Sequence, residues 1–377
     1  MKDRYVILTG SKNNAGDFLI KHRAKKLFKE FRPDREIVDL DRWVPFDAET
    51  LAMVNDSRAL ILTGGPALHP NMYPNLYKMS RLSDIKVPII TMGIGWSSKS
   101  GDWSDTYTYG LSDTTKELFE RIENSGYLSS VRDYHSLNVL HSENYKNFLM
   151  TGCPAYYSTE HIGKDFEPYP IKKVSFSVGV AFNHSRSMEK LLKESILKCK
   201  EYFADETFEV IFHHSLDATK RNQGVSGSLF DSQKEFENWL VEQKITYKDI
   251  SGSAESLIEH YSTVDLHIGY RVHAHIFMNS ISRYSILLNE DGRGKSIKNV
   301  IGGITIDAFD NYEDNILAKK LNQLVNYDRY RANTHLPKQL ISELDYEKLA
   351  DFNRFKLSRK NIDSNFKIMQ RFLAQLP

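Results

Sequence analysis

The chain has 377 residues, 41% of them hydrophobic and 26% charged, with a formal net charge of +1. That length suits two domains, each able to bury its own core. The near-neutral balance argues against a nucleic-acid protein, which carries a basic surplus. Only Cys153 and Cys199 supply thiols, which gives no disulfide framework and points to a reducing compartment.

The first element is a short apolar strand, Tyr5–Thr9, with no signal-peptide apolar region before it. It enters a polar turn, Gly10 to Asp17, that leads into a helical pattern over Phe18–Phe31. Strand patterns follow at Glu36–Leu40, Ala59–Thr63, Pro88–Met92, Leu128–Val131 and Asn147–Met150, with a helix at Ser112–Asn124. The apolar runs at 59–63 and 87–94 fall far below the ~20 residues of a membrane span. The stretch Tyr156–Lys173, rich in proline, glycine and charge, reads as a linker. Beyond it come strand Val174–Ala181, helix Met188–Phe203, strand Phe208–His213, helix Ser232–Gln243 and strand Tyr247–Ile250. Helix Ala254–Tyr261, strand Val264–Ile268, a helix from about Val272 and strand Tyr284–Leu288 complete the alternation. From Ile341 the pattern is helical, anchored by Leu349, Phe352, Phe355, Ile368 and Phe372. Alternating strands and helices predict an α/β fold of doubly wound parallel sheets. The expected division is 1–165 and 166–330, with a helical tail over 331–377.

Ligands of open parallel sheets bind beyond the carboxyl ends of the strands. Those ends here hold Asn14, Gly16 and Asp17; Gly64 and Gly65; Gly95 and Trp96; Arg132; His213 and His214; and Gly269. The segment Val264–Ser280 is the most informative. Its strand breaks at Gly269, and Arg271 and His273 follow where a helix begins. A helix N-terminus with an added guanidinium and an imidazole is an anion site. His275 points away from His273 on a regular helix. Glu290 to Ser296 places two glycines, Arg293 and Lys295 just after the final strand, either as a phosphate-cradling loop or as a charged surface turn before a helix. Only one of His213 and His214 can face a cleft, because strand side chains alternate. Asp17 also reads as a plain helix cap, Asp133 as a partner of Arg132, and Cys153 as a packing residue. Ligand spacing gives no metal site. Trp96, Trp103 and Tyr107–Tyr109 are candidates to stack on a sugar, whereas Trp43 reads as core.

In their order these motifs resemble the polysaccharide pyruvyltransferase family. The resemblance rests on Asn14-Ala-Gly-Asp17, Gly64-Gly65, Gly93-Ile-Gly95, Arg132-Asp-Tyr-His-Ser136, and the run from Asp265 through Arg271-Val-His273-Ala274. Pro66 replaces a third glycine, and Cys153 stands where the family has an aspartate. The resemblance implies two Rossmann-like domains in a GT-B-like arrangement, the first on the acceptor side and the second holding phosphoenolpyruvate. It implies transfer to a sugar hydroxyl pair of a polysaccharide or lipid-linked precursor, forming a cyclic ketal, with no further cofactor. Arg271 would hold the anion and His273 would act as acid or phosphate partner, with Arg132, Arg293 and Lys295 as supporting cations. Asp17 or Glu290 would be the base. The lack of a membrane span leads to an expectation of cytoplasmic action at the inner membrane face. The alternative is a GT-B glycosyltransferase using a nucleotide sugar, with Glu290 on the ribose.

Overall fold

The computed structural model describes residues 2–377 except 11, 13, 80, 223–225, 314–316, 319 and 322–326. Strand β1 (Arg4–Thr9) is buried along its length, as expected of a strand covered on both faces. It lies parallel between β2 (Glu36–Asp41) and β3 (Ala59–Thr63), and β3 pairs with β4 (Ile89–Met92). β5 (Ser129–Val131) and β6 (Phe148–Met150) extend this sheet, because the Gly93 N–H donates to the Ser130 carbonyl at 3.0 Å and the Arg132 N–H to that of Ile94 at 2.9 Å. Serine hydroxyls replace part of the ladder there: Ser129 Oγ accepts from the Thr91 N–H (3.0 Å) and Ser130 Oγ from the Gly93 N–H (2.9 Å). The winding reverses between β1 and β3. The helices of this half are α1 (Ala15–Phe31), α2 (Ala48–Asn55), α3 (Trp103–Tyr107), α4 (Asp113–Glu123) and α5 (Tyr134–Ser142).

The second half holds six parallel strands: β7 (Lys173–Ser177), β8 (Thr207–Phe212), β9 (Thr246–Asp249), β10 (Leu266–Gly269), β11 (Tyr284–Asn289) and β12 (Ile304–Asp307). Their order, 9-8-7-10-11-12, is that of the dinucleotide-binding sheet, and it reverses between β7 and β10. β7 stops at Ser177 rather than Ala181, because the Glu290 carboxylate draws the Val180 and Ala181 N–H groups to itself at 2.7 and 2.8 Å. The helices are α6 (Arg186–Tyr202), α7 (Gly227–Glu242), α8 (Ala254–Ser262), α9 (Val272–Ser280) and α10 (Gly292–Ile301). A short hairpin, β13 (Phe309–Tyr312) with β14 (Tyr330–Ala332), has no counterpart in the sequence reading.

The two C-terminal helices, α11 (Leu336–Leu349) and α12 (Asn353–Ala374), divide their packing. α11 covers α6 in the second half, and α12 crosses back to the first. Phe366 of α12 packs its ring on Phe31 at 5.7 Å and on Tyr157 at 5.2 Å, and the Tyr5 hydroxyl donates to a Pro377 oxygen at 2.6 Å. Two parallel α/β halves tied by a returning C-terminal helix make the GT-B-like arrangement.

Gly269 is where this architecture tolerates no side chain. Its φ is +136°, and a Cβ would strike the backbone of Ser177 on β7. Gly269→Ala is therefore expected to lower stability by about 3 kcal/mol or more, read as a fall in the urea midpoint. An unchanged midpoint would contradict this packing.

Candidate functional site

The site begins at the reversal between β7 and β10. There the Tyr270 N–H donates to the Ser177 carbonyl at 3.1 Å and the Arg271 N–H to Ser177 Oγ at 3.0 Å. Beneath this turn a buried chain of hydrogen bonds runs on, each 2.8 Å: Ser177 Oγ to His267 Nε2, His267 Nδ1 to Ser285 Oγ, and Ser285 Oγ to His275 Nδ1. Satisfied buried networks of this kind hold one geometry. Arg271 occupies the N-cap of α9 but offers no acceptor to it. By contrast, Asn14, Asp133 and Asp291 cap α1, α5 and α10 with side-chain oxygens. The positive end of α9 thus stays available to an anion.

The Arg271 guanidinium donates through Nη2 to the Gly179 carbonyl (3.3 Å) and to His214 Nδ1 (3.0 Å), while its buried Nε has no partner among the described residues. Guanidinium only donates, so His214 Nδ1 carries no proton and its Nε2 does. Burial, reinforced by Arg271, holds the His214 pKa well below its ordinary value. Burial also brings Arg271 down to about 10, against the opposing pull of Glu290.

His273 is the second residue of α9, in its first turn; it is buried, and its Nε2 has no partner among the described residues. Its ring rests on Gly16 of α1, where a Cβ would collide with Nδ1. Burial first, then the cations Arg132, Arg293 and Arg271, depress its pKa to about 3. Arginines from both halves of the molecule thus act electrostatically on one imidazole. Arg132 lies across Gly95, where a Cβ would overlap its guanidinium. Its Nε donates to Asp133 at 3.3 Å and its buried Nη2 has no partner among the described residues. Arg293 is gripped by Asp291 through Nε (2.9 Å) and Nη2 (2.6 Å), which raises its pKa.

On the first-half side, Asp17 lies at the reversal between β1 and β3, in a depression shared with Gly64, Gly65 and Arg42. Gly64 and Gly65, which line this depression, have φ of +59° and +74°, a backbone conformation that favours glycine. Burial raises the Asp17 pKa, opposed by Arg42, Arg293 and Arg132 in that order.

A sequence model of polysaccharide pyruvyl transferases matches residues 14–277, which spans both halves of this site. The chain belongs to the polysaccharide pyruvyl transferase family. No curated protein matches it by sequence. Among solved structures, the S. aureus MnaA–UDP co-structure is similar at 8% identity and TM-score 0.48, over 93% of this chain and 98% of that one. The UDP-GlcNAc 2-epimerase of Methanocaldococcus jannaschii, solved with UDP-GlcNAc and UDP, is similar at 12% identity and TM-score 0.47, over 92% and 100%.

In this pyruvyl transferase family member several residues singled out from sequence serve elsewhere. His213 points into the core, with Nε2 at 2.8 Å from the Tyr261 hydroxyl, so His214 alone of the pair reaches the cleft. Trp96 is fully buried. Its Nε1 donates to Ser296 Oγ at 2.7 Å and its ring stacks on His135 at 5.1 Å, so it joins the halves and offers no face to a sugar. Trp103 also stacks on His135, at 3.9 Å, but remains 46% exposed and keeps that capacity. Lys295 pairs with Asp102 at 3.1 Å, away from the arginines. The segment Glu290–Ser296 is no phosphate loop, since α10 begins at Gly292. Its first N–H groups are spent on the Ser98 carbonyl (3.1 Å, from Gly292) and on Asp291 (2.9 Å, from Arg293). Glu290 Oε2 holds the Val180 and Ala181 N–H groups, which makes this residue a brace of the β7 turn. Burial pushes the Cys153 thiol up to about 11, as befits a packing residue. Arg42 went unremarked in the sequence, although its place just past β2 was a readable signal.

Proposed function

We propose that this protein transfers the enolpyruvyl group of phosphoenolpyruvate to two hydroxyls of a sugar acceptor, on a polysaccharide or its lipid-linked precursor. The observation that carries this reading is the pair of buried, unpartnered guanidinium donors, Arg271 Nε and Arg132 Nη2, set around a neutral His273 at the uncapped start of α9. A small ligand with both a carboxylate and a phosphate satisfies such donors on two sides. Protonation of the donor's methylene carbon leaves a cation-like C2, which one sugar hydroxyl attacks. The C2–O bond to phosphate then breaks, and the second hydroxyl closes the cyclic ketal on C2. Phosphate leaves with the bond electrons, and the two hydroxyl protons pass to bases. Asp17, whose pKa burial raises and whose carboxylate therefore holds a proton more strongly, suits the acceptor-side base. Glu290 is the other candidate base: its Oε2 is held by the Val180 and Ala181 N–H groups, while its buried Oε1 has no partner among the described residues.

His273 supplies the acid only once the donor is bound. With a pKa of about 3 in the ligand-free site, it is neutral across physiological pH. An adjacent anion favours imidazolium and raises that value. Donor binding is thus expected to take up protons near pH 7, and donor affinity to weaken as pH rises. Calorimetric titration with phosphoenolpyruvate in two buffers of different ionisation enthalpy reads this directly. His273→Gln is expected to bind with less uptake. Undiminished uptake in that variant would remove His273 from the acid role, and absence of binding by the native chain would remove the donor assignment.

A further inference from the structure

Helix α1 carries Lys21, Arg23, Lys25, Lys26 and Lys29 against Asp17 and Glu30, a local surplus of three in a chain whose net charge is +1. Four-residue spacing sets Lys21, Lys25 and Lys29 in one stripe on the outer face. Along that stripe runs an open groove of about 1150 Å³, floored by Phe18 and Ile37 and extended by Arg35. Lys21 is salt-bridged to Asp39 and Arg35 to Asp34, and Glu30 and Glu255 also line the groove. Among the described residues Lys25 and Lys29 have no ion-pair partner, and both are exposed. An apolar floor beneath unpaired lysines is the pattern of a surface that meets anionic headgroups while burying some apolar area. The groove also leads to the site, because Lys21 lines the depression that holds Asp17, Gly64 and Gly65. Among the described residues no helix is long and apolar enough to cross a membrane, so any attachment by these helices is peripheral.

We propose that the α1 groove docks this protein on a membrane surface rich in acidic phospholipid, with the Asp17 side of the cleft turned toward that surface. The docking rests on the groove alone. Its purpose, access to a lipid-linked acceptor, rests on the function proposed above.

Co-sedimentation of the full chain with vesicles tests it. Binding is expected to vesicles of phosphatidylcholine mixed with phosphatidylglycerol and not to phosphatidylcholine alone, and to weaken as salt screens the charges. The double variant Lys25→Glu/Lys29→Glu is expected to lose at least tenfold in vesicle affinity. Lys25→Arg/Lys29→Arg is expected to retain it, as is Lys190→Glu/Lys198→Glu on α6. Equal binding by the Lys25/Lys29 charge-reversal variant, indifference to acidic lipid, or capture of a soluble acidic peptide without vesicle binding would each overturn the proposal. Phosphoenolpyruvate titration of the same charge-reversal variant separates this outcome from the donor site, which lies across the cleft.

Discussion

Arg271→Ala is expected to abolish measurable phosphoenolpyruvate binding while leaving a folded protein. On the proposed function Arg271 gives charge-assisted hydrogen bonds to an anion in a buried site, where each such bond is worth about 1.5–3 kcal/mol. Two of them correspond to a loss of roughly 10²- to 10⁴-fold in affinity. The fold should survive because the turn is set by the Arg271 backbone N–H on Ser177 and by the His267–Ser285–His275 chain beneath it, none of which the substitution removes. The Gly179 carbonyl and His214 lose a donor, a modest cost at the edge of a cleft. Thermal denaturation with and without phosphoenolpyruvate gives the readout: a ligand-dependent rise in Tm for the native chain and none for the variant. Arg271→Lys is expected to recover little, since an ammonium lacks the planar fork. A variant that binds within about threefold of the native affinity would place the anion elsewhere.

The second large effect is loss of stability in mild acid. Burial holds six histidines neutral in the fold: His273 and His275 with pKa of about 3, His260 of about 4, and His213, His214 and His267 well below the ordinary value. In the unfolded chain each binds a proton near pH 6.5. Below that pH the unfolded state holds more protons than the native one, so their stabilisation is present above about pH 6.5 and is lost as pH falls. Each such group costs about 1.4 kcal/mol per pH unit between its two pKa values. His260, His273 and His275 alone reach roughly 4 kcal/mol per unit, set against a typical total stability of about 5–15 kcal/mol. Urea midpoints measured from pH 8 to pH 5 are expected to drop steeply below about pH 6.5. A flat profile down to pH 5 would mean that these imidazoles are hydrated.

Both effects trace to residues that sequence and structure weigh differently. Gly269, Arg271 and His273 were legible because a strand end, a glycine and a helix start are local features, and all three lie within five positions. The apolar strands β1 and β3 were legible for the same reason, being buried throughout. The partners of these residues were not legible, because they come from far along the chain. Gly16 seats His273, Gly95 seats Arg132, Trp96 reaches Ser296, and Lys295 reaches Asp102, each across a packing that no short pattern encodes. Two glycines made Glu290–Ser296 read as a loop or a turn before a helix, whereas Asp291 caps a helix that already begins at Gly292, and Gly292 lies against Gly101 of the other half. The His213–His214 pair shows the intermediate case. Strand alternation says that one of them faces the cleft, and only the Tyr261 hydroxyl on His213 says which.

The proposed function requires that the cleft between the two halves take phosphoenolpyruvate rather than a nucleotide. Calorimetric titration of the full chain with phosphoenolpyruvate, beside UDP and GDP under the same conditions, tests it most directly. Saturable binding of phosphoenolpyruvate, unaffected by either nucleotide, is the expected result. Saturable binding of UDP or GDP with no heat from phosphoenolpyruvate would contradict it and assign the arginine cluster to a nucleotide diphosphate.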